Sequence, residues 1–125
     1  ADLLLLNEDN KAVCILEFKK HTLASPVSEQ CFTNYYPRPD GRKYKRLALL
    51  RDYLASKSNS RILFLVLYYP TQTYIEQQWK LEVIEGNAFS LRATDSFIFE
   101  LPADKSDNEY KKVIEKISQV IAAHS

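Results

Sequence analysis

The chain has two glycines, two cysteines and no methionine among its 125 residues. With so few glycines there is no Gly-rich loop to cradle the phosphates of a nucleotide. Two cysteines are too few for a disulfide framework. Cys14 lies in an apolar run, so reduced thiols in an intracellular protein, cytoplasmic or nucleoid/nuclear, are expected. Cys31 has no CxxC partner, and His21 and His124 are too far apart in sequence to suggest a zinc site. No apolar run approaches the ~20 residues that span a bilayer. The longest, Ile62–Tyr69, has the length of a strand, so no membrane is expected. Repeats, heptads, low-complexity tracts and a Ser-His-Asp arrangement are all missing.

What is present suits one globular domain over 1–125: 46% hydrophobic and 26% charged residues. A start at Ala1 rather than Met suggests a domain cut from something longer. Net charge is only +1, but it is unevenly spread. From Arg38 to Lys57 seven basic residues (Arg38, Arg42, Lys43, Lys45, Arg46, Arg51, Lys57) face only Asp40 and Asp52. Such polarity is what a phosphate-binding face needs.

Two aliphatic runs, Leu3–Leu6 and Ala12–Leu16, flank Asn7-Glu8-Asp9-Asn10 and read as a β-hairpin. Both are apolar on both faces, as in strands buried within a sheet. A turn centred on Asp9 and Asn10 sets Asp2 opposite Glu17. Alternation puts Glu17 and Lys19 on one face, and Asp2 shares it. Two carboxylates that close repel unless a cation lies between them. Hard oxygen ligands on a rigid sheet suit Mg²⁺ (or Mn²⁺). The plain alternative is a solvated strand end.

An Asp opening one strand, followed by Glu-x-Lys ending the next, resembles the PD-(D/E)XK nuclease superfamily on Asp2, Glu17 and Lys19. The resemblance covers the first fifth of the chain, and Ala1 stands where the family has Pro. It implies a restriction-endonuclease-like core, a central mixed β-sheet flanked by helices in an α/β (α+β) fold. It further implies Mg²⁺ on Asp2, Glu17 and the backbone carbonyl of Phe18, with Lys19 positioning water or stabilising charge. The family's helix after the lysine strand often offers a Gln to the site, and Gln30 is the candidate here.

Ser25-Pro26 is expected to open a short helix carrying Glu29, Gln30 and Cys31. A loop with Tyr35, Tyr36 and Arg38 follows, of a kind that stacks on or clasps nucleotides. Gly41–Ser56 reads as a helix with Tyr44, Leu47, Leu50 and Leu54 on its apolar stripe. Arg42, Lys43, Lys45 and Arg46 crowd its first turns against the macrodipole, and a phosphate backbone would be their counter-charge. A buried strand over 61–69 is expected beside the lysine strand, with the polar loop 70–74 near the same crevice. Trp79-Lys80-Leu81-Glu82-Val83 and the segments after a Gly86-Asn87 turn read as antiparallel or edge strands with one wet face. Asp107–Ala123 reads as an amphipathic helix with Tyr110, Val113, Ile114, Ile117, Val120 and Ile121 on its buried side.

A metal-dependent nuclease acting on nucleic acid, with DNA the expected form and other domains or subunits as partners, is the function these residues support first. A nuclease-like binding module that has lost catalysis comes second. A layered domain in which Asp2, Glu17 and Lys19 meet by chance is third.

Overall fold

A computed structural model describes residues 3–21, 26–70, 78–100 and 107–124. Its centre is a mixed five-stranded sheet in the order β1-β2-β3-β4-β5, which with two long helices makes an α+β fold. The strands are β1 (Leu3–Leu6), β2 (Ala12–His21), β3 (Leu63–Pro70), β4 (Gln78–Asn87) and β5 (Ser90–Glu100). The helices are α1 (Gly41–Ser58) and α2 (Asp107–His124). Only β2 and β3 are parallel, joined through α1 as a strand-helix-strand crossover, and the other neighbours are antiparallel. No helix among the described residues is long and apolar enough to cross a membrane.

The hairpin register is the expected one, reached by a different route. Leu3 pairs with Leu16, Leu4 with Ile15 and Leu5 with Cys14. The turn itself is shifted, because Asn7 N–H donates to the carbonyl of Lys11 (2.8 Å) and Asn10 takes a left-handed φ of 60°. Asn7 Oδ1 also accepts from the backbone of Asp9 and Lys11. A bulge between Leu5 and Leu6 then restores the register. Asp2 lies outside the described residues.

Alternation along β2 and β3 sends Ile15, Phe64, Val66 and Tyr68 to one core, under Tyr44, Leu47 and Ala48 of α1. Cys14, Leu16, Leu63, Leu65 and Leu67 go to a second core under Ile117 and Val120 of α2. Burial pushes the Cys14 thiol up to about 12, so it stays a neutral core group.

Several expectations need correction. β1 is an edge strand rather than a buried one, leaving Leu3 (42%), Leu4 (42%) and Leu6 (52%) exposed. The short helix is instead two single 3-10 turns, Val27–Glu29 and Phe32–Asn34, with Gln30 in extended backbone between them. Ser25 lies outside the described residues, as does the 71–74 part of the loop expected near the crevice. Leu50 and Ile114 face outward. On α1 the inner face turns to Arg51, whose guanidinium donates to the carbonyl of Gly86 (2.6 Å) and so holds the helix against the β4–β5 turn. β4 has no wet face: it lies between β3 and β5 with Lys80 and Glu82 both buried. The segments after Gly86-Asn87 form a single strand β5 with a bulge at Thr94, and β5 does carry the exposed face.

Gly86 has φ +101°, and a Cβ there would stand 2.2 Å from the carbonyl oxygen of Ser90. Gly86→Ala is therefore expected to lower stability by about 1–3 kcal/mol in a urea melt. Gly41→Ala, with open space around it, should be neutral in the same measurement.

Candidate active site

The site builds from the register of three central strands. Glu17 of β2 pairs with Val66 of β3, which pairs with Glu82 of β4. One pleat on, Lys19 pairs with Tyr68 and Tyr68 with Lys80. Strands stand about 4.8 Å apart, so the two acids sit about 10 Å from each other on one face. A parallel and an antiparallel step together turn Glu17-x-Lys19 and Lys80-x-Glu82 into matching rows beneath α1.

Although alike in position, the two rows are satisfied differently. Glu82 Oε1 accepts from the backbone N–H of Phe32 (2.8 Å) and the hydroxyl of Tyr68 (2.5 Å). Lys80 donates to the carbonyls of Gln30 (2.6 Å) and Ser28 (3.3 Å), with Glu82 Oε2 4.0 Å away. These two side chains thus pin the segment with the 3-10 turns onto the sheet. Burial first, and the Glu82 charge second, push the Tyr68 phenol upward, so it stays a neutral donor.

The pinned segment in turn places Tyr35. Its hydroxyl donates to Gln30 Oε1 (2.8 Å), and its ring lies 4.4 Å below the Lys19 ammonium. Lys19 also pairs with Asp40, the residue just before α1. Asp40 makes no side-chain cap for the helix, since its carboxylate goes to the lysine. Burial, then the Asp40 charge, push the Tyr35 phenol up as well.

Glu17 is the exception. Its side chain is 0% exposed; Oε1 meets the Lys43 ammonium, and Oε2 has no hydrogen-bond partner. Among the described residues the charge is met by this ion pair alone, and the Lys43 side chain is itself 48% exposed. The Tyr44 hydroxyl nearby is also buried without a partner, and its phenol is pushed up by burial and by the Glu17 charge. A carboxylate oxygen left without a partner in a buried site fits a hard cation such as Mg²⁺. Among the described residues no three His, Cys, Asp or Glu side chains gather as a metal-binding group.

Beside this lies an open groove of about 910 Å³, lined by Arg38, Arg42, Lys43 and Arg46 together with Asp40 and Leu47. Four of the residues expected to bind nucleic acid therefore share one surface. Lys45 instead stands over the Phe89 ring (4.5 Å). Tyr36 stacks on Phe32 (4.8 Å) and accepts the N–H of Leu91 (3.4 Å), a packing role. Gln30 is buried against Tyr35. Phe18 turns its ring to the opposite face, edge-on to Tyr69 (6.3 Å).

Sequence reasoning missed Asp40, Tyr68, Lys80 and Glu82. The signal for the last two was present, since Lys80-x-Glu82 is Glu17-x-Lys19 reversed, as an antiparallel neighbour requires. Nothing local marked Asp40, which reads as a turn acid in Pro-Asp-Gly.

No family model, curated protein or solved structure matches the chain.

Proposed function

We propose that the domain is a metal-dependent nuclease cleaving phosphodiester bonds in nucleic acid, with DNA the expected substrate. The observation that carries this is Glu17, a fully buried carboxylate met by a single half-exposed lysine and with Oε2 unpartnered, with Lys19 on the same face and a cationic groove alongside. Asp2, which lies outside the described residues, is the second carboxylate of the sequence motif, and with Glu17 and the Phe18 carbonyl it would hold Mg²⁺ or Mn²⁺. When bound, such an ion lowers the pKa of a water and offsets charge on a phosphoryl group.

The remaining chemistry belongs to side chains. Arg38, Arg42 and Arg46 bind backbone phosphates along the groove, which Lys43 connects to Glu17. Lys19 presents a fixed cation to the phosphate under attack, where charge develops. Tyr35 and Asp40 hold that ammonium in place, and Lys80 with Glu82 hold Tyr35.

Lys19→Ala is expected to lower Mg²⁺-dependent nicking of supercoiled plasmid by about 100-fold, the usual cost of removing one positioned stabilising donor. Nicking that survives this change undiminished would remove the lysine from the mechanism.

A second reading, a binding module on this fold without catalysis, is favoured by one observation. Lys43 and Asp40 already neutralise Glu17 and Lys19 with no metal required. In that case the groove would bind DNA with strong salt dependence, and no divalent ion would induce nicking.

A further inference from the structure

We propose that Lys43 is an internal counter-cation that holds Glu17 until a divalent ion arrives, and then moves into the phosphate groove. This deepens the metal-site reading above and rests on it. A buried carboxylate without a cation would be costly, so the metal-free protein needs a substitute charge. Lys19 cannot supply it, although it lies on the same face, because Asp40 and the Tyr35 ring hold its ammonium. Lys43 supplies it from the first turn of α1.

Two features suit Lys43 to leave again. Its side chain is half exposed, so withdrawing it from Glu17 opens little buried surface. It also lines the groove next to Arg42 and Arg46, where a phosphate backbone offers a new partner. A lysine is suited to this exchange, being a point charge on a flexible stem rather than a planar fork. Loading the ion thus adds one cation to the groove, linking the metal site to the substrate site. Binding of the ion is weakened to the extent that Lys43 occupies its ligand.

Calcium, which occupies oxygen sites without needing to support chemistry, is the probe. Calorimetric titration of Lys43→Gln should show Ca²⁺ binding about tenfold tighter than wild type, within the range of ordinary coupling between linked sites. Lys43→Arg, which keeps the counter-charge, should bind no tighter than wild type, and Glu17→Gln/Lys43→Gln should not bind at all. A second measurement needs no variant: saturating Ca²⁺ should raise acetylation of Lys43 several-fold in wild-type protein, read peptide by peptide, and leave Lys57 unchanged. Glu17-dependent binding that is equally tight in wild type and Lys43→Gln, or Lys43 labelling indifferent to Ca²⁺, overturns the counter-cation role and leaves the metal site standing. Absence of Ca²⁺ binding in both wild type and Lys43→Gln overturns the metal site as well.

Discussion

Glu17→Gln is expected to abolish Mg²⁺-dependent plasmid nicking, with a fall of about 10²–10³-fold or more, while leaving the protein as stable as wild type or slightly more so. The fall follows from losing a fully buried carboxylate whose Oε2 has no hydrogen-bond partner; charge stabilisation of this kind is worth about that much per group. Unchanged stability follows from what the substitution removes. A buried anion is expensive to hold, and its partner Lys43 is exposed enough to return to water. Function and stability therefore separate at this residue, as they do where a site is kept strained for its chemistry. Nicking assays beside thermal melts read both halves, and a destabilised variant would assign Glu17 to the framework instead.

The second large effect has the opposite character, although the residue stands in the same register row. Glu82→Ala is expected to cost about 3–5 kcal/mol, the range for breaking a buried charge pair by removing one partner. For a chain of this length that lowers the melting temperature by about 10 °C or more. The loss leaves the Phe32 N–H and Tyr68 hydroxyl buried without their acceptor, and Lys80 without its nearest acid. Replacing both charges, Lys80→Met with Glu82→Leu, should be less damaging than Glu82→Ala alone, because no unpaired charge remains. Urea denaturation of the three proteins gives the comparison. A mild single variant would mean that Glu82 does not pin the 3-10 segment.

Legibility in the sequence followed the locality of each cause. The hairpin register, the parallel placement of 61–69 beside the lysine strand and both long helices were readable, since each depends on side-chain periodicity and turn residues within a few positions. The placement of β1 was not. Four leucines read alike in an edge strand and a central one, and only the strand order decides which. β4 was misread for the converse reason: Lys80 and Glu82 alternate with apolar residues as on a wet face, yet they are buried by a segment 50 residues away. On the site itself, Glu17 and Lys19 sharing a face follows from alternation alone. The exchange of partners, Lys43 to Glu17 and Asp40 to Lys19, depends on where α1 begins relative to the sheet and has no local sign.

The most direct test is anomalous scattering from crystals grown with Mn²⁺. A manganese peak in contact with the Glu17 carboxylate and with Asp2, on the face that carries Lys19, is the expected result. Saturating Mn²⁺ that leaves Glu17 paired with Lys43 and no metal at its oxygens would contradict the proposed nuclease chemistry.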